Sequence, residues 1–279
     1  MYLSLNAVPI GGKLTWKEFA ALASSTGFRG VDVMLEAAMA DGAGSTRSLL
    51  TGLKLKPAFI NLPVEFRKDD ATFSATLPKL KPAAEFAAAI GCPRMMTYIM
   101  ASSDTPKQEL RATYLKRFQT CAEIMAPSKC RFGLEFLGPT QFRKSGKFEF
   151  IWKMPEMLAF AKECGPNVGL TLDAWHWYHA GGTVADILTA GKSRIVVVHF
   201  DDAAKQAPDD VRDNQRLLPG EGVIDLNSFL HALKKIGYED SLSIEVFGRG
   251  LKEMPPSESA LLCLSAGRAA LKKAGIKES

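Results

Sequence analysis

The sequence predicts an α/β protein folded as a single (β/α)8 TIM barrel over residues 1–279. Three observations predict it: short apolar β-like runs alternate with helical patterns from end to end, the units number eight, and 279 residues suit one such barrel. In order, the first strand is expected near residues 3–8, and Thr15 with Glu18 three residues on opens a helix at WKEFAALA. Strands two to four are expected near 30–35, 55–62 and 94–100, each trailed by helical spacing. The fifth, RFGLEFLG near 131–138, carries Glu135, and the sixth, VGLTLDAWHW near 168–175, carries Asp173. Thr183 then opens a helix at VADILTAG. The seventh strand, IVVVHFDD near 195–202, carries His199, the eighth, SLSIEVFG near 241–247, carries Glu245, and Ser257 opens the terminal helix. An open doubly wound sheet is the rival, but it would place G-x-G-x-x-G after the first strand, where only Gly11-Gly12 stands.

Composition narrows the classes of partner. With 35 basic against 30 acidic residues the net charge is +5, without a run of like charges, so nucleic acid has little support. Five cysteines form no C-x-x-C pair and their odd number argues against a disulfide framework, which fits a reducing compartment. The start MYLSLNAVPIGG lacks the basic and long apolar regions of a signal peptide, and no stretch approaches the roughly 18 apolar residues of a membrane span. The expectation is a soluble cytoplasmic protein with no membrane partner.

Glu135, Asp173, His199 and Glu245 each stand at or near the end of a strand, successive ones about one βα unit apart. In a barrel those ends face the mouth, so the four side chains would converge. Burying three acids together without a cation is costly, which makes a metal site a better reading than four unrelated polar residues. Three oxygen donors and one imidazole suit one divalent ion, with manganese, cobalt or magnesium ahead of zinc. Such an ion is a Lewis acid for a sugar carbonyl and its neighbouring hydroxyl, and Glu135 and Glu245 are the candidates to pass protons to and from the enediolate.

The segments L-E-F at Glu135, L-D-A-W-H at Asp173 and His176, V-H-F-D-D at His199, R-L-L-P-G-E-G at 216–222 and S-I-E-V-F at Glu245 resemble the xylose isomerase-like TIM barrels. That superfamily of sugar isomerases and epimerases includes ketose 3-epimerases, inosose-processing enzymes and endonuclease IV. The resemblance spans nearly the whole chain. It implies metal coordination by Glu135, Asp173, His199 and Glu245, with His176 and Arg216 near the substrate oxygens. It also implies association of copies through barrel helices, although no dimer surface is legible.

Two readings stay open at each accessory residue. His176 either donates to a substrate hydroxyl or orients a ligand, and Arg216 either holds an oxyanion or hydroxyl pair or is a surface loop arginine. Trp177 or Phe66 could form a pocket wall against the apolar face of a sugar, whereas Trp16 and Trp152 read as packing residues. Arg143, in a loop with Lys144 and Lys147, reads as a solvated basic residue or a contact for an anionic substituent. Asp201 and Asp202 read as loop solvation or as supports for His199, Glu221 as structural, and His179 and His231 as bystanders.

The function expected is metal-dependent isomerisation or epimerisation of a small carbohydrate. A lyase performing β-elimination on a 3-keto glycoside, or an inosose-type dehydratase, needs the same ion and base and is the alternative. An endonuclease IV-like nuclease needs three zinc ions and more than the four histidines present; Asn61 and Tyr98 stand near positions where that enzyme carries histidine. A non-catalytic sugar-binding barrel is the remaining class.

Overall fold

Eight parallel strands close on themselves: β1 (Tyr2–Leu5), β2 (Gly30–Val33), β3 (Lys56–Asn61), β4 (Arg94–Ile99), β5 (Arg131–Phe136), β6 (Val168–Asp173), β7 (Ile195–His199) and β8 (Ser241–Ile244). The computed structural model describes residues 1–279. Each strand pairs with its neighbours in the chain, and β8 returns to β1 with Leu5 opposite Ile244. The barrel read from the sequence is therefore the fold. Observed strands stop one to three residues short of the expected ends, because the residues beyond leave the ladder to build the mouth.

Crossovers are made by α1 (Trp16–Thr26), α2 (Ala43–Gly52), α3 (Leu80–Ala89), α4 (Lys107–Met125), α5 (Met154–Cys164), α6 (Val184–Ala190) and α7 (Leu226–Lys235), and α8 (Pro256–Lys273) follows β8. Capping boxes start two of them. Thr15 Oγ1 accepts from the Glu18 amide and Glu18 accepts from the Thr15 amide, and Thr183 and Asp186 repeat the exchange at α6. Ser257 does not open α8: Pro255 stands at the cap and Pro256 begins the helix, its ring preset for the first turn where no amide donor is needed. Phe229, Leu230 and Leu233 of α7 are buried while His231 and Lys234 face water.

The main apolar core is a cluster of 78 buried residues, and a second, of five, gathers Ala58, Phe59, Met96, Val196 and Val197 from β3, β4 and β7. Phe118 of α4 centres one sector, its ring 4.7 Å from Phe66 and 5.5 Å from Phe132. Inside the barrel, the β1, β2 and β8 sector is polar. Asp32 accepts from Ser4 at 3.1 Å and Ser243 at 2.6 Å, and Asn6 donates to Ser243 at 3.1 Å. No helix is long and apolar enough to cross a membrane.

Candidate metal centre

Register brings the four candidate donors together. Asp173 pairs with His199 across β6 and β7, Ser243 of β8 pairs with His199, and Glu245 stands just beyond the last residue of β8. One donor atom from each of Glu135, Asp173, His199 and Glu245 lies within 4.8 Å of all the others. His199 Nδ1 faces the group, 2.9 Å from Glu135 Oε1, 3.2 Å from Glu245 Oε2 and 3.6 Å from Asp173 Oδ2. Burial opposes a charged imidazole, but the Glu245 and Glu135 carboxylates outweigh it and raise His199 well above its ordinary value. Burial pushes Glu135 up to about 7 against the pull of His199. In Glu245 the same burial is overcome by His199 and Arg216, which hold it below the usual carboxylate range. The donor set fits a divalent ion: the buried carboxylates of Glu135 and Asp173, the partly buried carboxylate of Glu245 and one imidazole converge on a single point, where the only local cation of the chain besides Arg216 is a proton on His199.

Arg216 is buried and enters this group from the loop after β7. Its Nη1 donates to Asp173 Oδ2 at 2.7 Å, Asp201 Oδ2 at 3.0 Å and Glu245 Oε2 at 3.1 Å, and its Nε donates to Asp213 at 2.8 Å. It is not a surface loop arginine. Its Nη2 lies 3.1 Å from His176 Nε2. A guanidinium only donates, so Nε2 accepts, and the ring proton is assigned to Nδ1, which has no partner. Burial depresses His176 to about 3, so the ring is neutral. Asp173 fixes the backbone beneath it by accepting the His176 amide at 2.7 Å, which turns the chain from β6 into the short helix Ala174–His179.

The two aspartates after His199 are not loop solvation. Both are fully buried. Asp201 accepts from Arg216 and from the Trp175 amide at 2.9 Å. Asp202 accepts four amides, from Ala203, Gly220, Gly222 and Ile224. The segment R-L-L-P-G-E-G is thus wrapped around Asp202, and a Cβ on Gly222 would strike the Ala203 carbonyl. Glu221 receives both arms of Arg249 at 2.8 Å and has a structural place.

A cavity of about 520 Å³ opens over the group and is lined by Glu135, Glu245, His176 and Arg216. Arg67, Tyr98, Phe142 and Phe247 form other parts of its wall. Neither expected aromatic wall is there. Phe66, in the loop after β3, points into the core between Tyr114 and Phe118, and Trp177, in the short helix Ala174–His179, packs on Phe229 with its indole donating to the Thr183 carbonyl. Arg143 lies over the Trp152 ring and donates to Thr140, away from the cavity. His179 lies edge-on to Trp175, and His231 sits on the exposed face of α7. Asp213, Arg67 and Phe142 were not singled out from the sequence. Asp201 does not support His199 as the sequence suggested; its hydrogen bonds go to Arg216 and the Trp175 amide, partners 15 and 26 residues away that strand spacing does not reveal.

Comparison with known proteins adds relatives. A family model described as xylose isomerase-like TIM barrel matches residues 20–266. An inosose isomerase of Halalkalibacterium halodurans is 27% identical over 195 residues, 69% of this chain and 67% of that protein. A xylose isomerase domain protein from Alicyclobacillus acidocaldarius superposes with a TM-score of 0.89 at 27% identity, covering 99% of each chain. A protein named IOLI, solved with a bound zinc atom, superposes at 0.83 with 20% identity over 98% of this chain and 99% of its own, a likeness of fold.

Proposed function

We propose that this chain, which belongs to the xylose isomerase-like TIM barrel family, is a divalent-metal-dependent isomerase or epimerase of a keto sugar or cyclitol. The observation that carries the reading is the convergence of Glu135, Asp173, His199 and Glu245 at one point on the floor of a sugar-sized cavity. The naming of a relative as an inosose isomerase supports the substrate class. Glu135, Asp173, His199 and Glu245 would hold the ion, and the preponderance of carboxylate oxygen favours manganese, cobalt or magnesium over zinc. When bound, the ion supplies Lewis acidity toward a carbonyl and its neighbouring hydroxyl.

The rest of the chemistry belongs to the chain. Glu135 and Glu245 both line the cavity and come from β5 and the end of β8, so they flank a substrate lying over the centre. One takes the proton alpha to the carbonyl and the other returns a proton to the enediolate. His176 is neutral and lines the cavity, where it would face a substrate oxygen, and Arg216 compensates negative charge beside it. The five free, buried thiols support a reducing, cytoplasmic setting.

The test is to load the protein with manganese, add ketoses, inososes and 3-keto glycosides in deuterated water, and follow the reaction by NMR. Deuterium entering the carbon alpha to a carbonyl, with inversion there or migration of the carbonyl, supports the reading. Loss of a β-substituent reassigns the protein to elimination, and no exchange with any of these substrates overturns proton transfer.

A further inference from the structure

We propose that Arg67 forms an oxyanion subsite, so that the substrate is a keto sugar or cyclitol carrying a carboxylate or phosphate. The inference rests on the keto-sugar reading above and adds the charge of the substrate. Arg67 lies in the loop after β3 and lines the same cavity as Glu135 and Glu245. Its guanidinium carbon sits 4.3 Å from the Phe66 ring centroid and 4.1 Å from that of Tyr98. Its Nη2 donates to Tyr98 O at 2.7 Å and Thr97 Oγ1 at 3.1 Å. The loop is tied down on either side, where buried Arg117 donates to the carbonyls of Phe66 and Lys68. The fork is therefore held in place before any ligand arrives.

What the fork lacks is a hydrogen-bonded acid. The nearest carboxylate, Glu65, stands 4.0 Å from Nη1 and accepts the Arg67 amide at 2.9 Å instead. Arg216 in the same cavity has four carboxylates, and among them Asp213 and Glu245 are the acids nearest it on the cavity wall. The cavity is thus divided: carboxylates with their own cation on the β5 to β8 side, and on the β3 to β4 side a cation whose one nearby carboxylate, Glu65, stands 4.0 Å away without a hydrogen bond to the guanidinium. A neutral sugar hydroxyl can accept from Nη1, which makes no hydrogen bond within the chain, but leaves the guanidinium charge desolvated and uncompensated, whereas an oxyanion both accepts from it and neutralises it. Arg67 would hold the anionic end of the substrate on the β3 to β4 side of the cavity and leave the keto end over Glu135 and Glu245.

The experiment is titration calorimetry of the manganese-loaded protein with D-fructose, D-fructuronate and D-fructose 6-phosphate, which share a ketone and differ at the far carbon. The expected result is that an anionic sugar binds roughly ten- to a hundredfold more tightly than D-fructose. The better of the two anions identifies carboxylate or phosphate as the group recognised. Arg67→Gln should bring the preference to within about threefold, and Arg67→Lys, which keeps the charge without the fork, should retain part of it. Lys68→Gln removes the same charge from an exposed neighbour in the loop and should keep the preference whole. Equal binding of all three sugars, a preference that survives Arg67→Gln, or no binding of any sugar overturns the proposal. Tight binding of D-fructuronate that depends on Arg67 but brings no deuterium exchange upholds the subsite and counts against the proton-transfer reading, so the two fail separately.

Discussion

Asp173 serves three neighbours with two oxygens: Oδ1 caps the short helix that carries His176, and Oδ2 meets both Arg216 and the His199 side of the centre. The paired glutamates are simpler and give the first prediction. Glu245→Gln keeps size and one oxygen but removes the base, so turnover should fall by a factor on the order of 10² to 10⁴ while ion binding falls less. Near-normal turnover in both Glu245→Gln and Glu135→Gln, with the ion bound by elemental analysis, would sink paired proton transfer. The second prediction separates substrate contact from ion contact. His176→Ala should keep its ion and lose kcat/KM by a factor on the order of 10² to 10³, the usual effect of removing a positioned donor. Arg216→Ala should bind the ion at least as tightly as the parent, because Arg216 draws on Asp173 Oδ2 and Glu245 Oε2, two oxygens of the centre. Weaker ion binding in Arg216→Ala would make it a scaffold of the centre. At this scale the sequence shows the convergent residues, since strand-end position alone places Glu135, Asp173, His199 and Glu245. It does not show which way an aromatic side chain turns, and Phe66 and Trp177 both went to the core.

Elements were legible where a local rule decides them and illegible where a distant contact does. Thr15 and Thr183 announce their helices because a capping box is complete within four residues. Strand ends could not be read as well, since apolar residues continue past the point where pairing stops. The loop from Asp202 to Ile224 is the clearest case of distant control. Its shape depends on one buried carboxylate collecting amides 18, 20 and 22 residues away, which no periodicity reveals. That loop delivers Arg216, so Asp202 acts on the site through backbone. Asp202→Ala would leave the amides of Gly220, Gly222 and Ile224 without their acceptor and should cost about 2–5 kcal/mol of stability. Hydrogen exchange should accelerate first at Gly220, Gly222 and Ile224. Unchanged protection there would show that Leu217, whose backbone pairs with Asp202, suffices to hold the loop.

The molecule as a whole balances buried groups whose titrations oppose one another with pH. Burial depresses His176 to about 3 and His179 to about 4, so unfolded chains take up protons first as pH falls from about 6.5, and stability drains away on the acid side. Asp32 works in the other direction. Enclosed in the barrel among Ser4, Asn6 and Ser243, it is raised by burial from 3.8 to about 7, although the hydroxyls of Ser243 and Ser4 pull against the rise. Between those two values the folded state holds a proton that the unfolded state has released. The stability it contributes is complete below about 3.8 and is lost as pH rises through about 7. Asp32→Asn keeps the shape and abolishes the titration. Whatever fixed effect the amide has on the Ser4 and Ser243 hydrogen bonds is the same at every pH, so it cancels when the two proteins are compared across a series. Urea midpoints of chelator-treated wild type and Asp32→Asn, measured from pH 5 to pH 8, should therefore diverge, with the variant gaining on the wild type as pH rises. Parallel profiles would mean that Asp32 is already ionised in the folded barrel at pH 5 and that its two hydroxyl donors outweigh its burial.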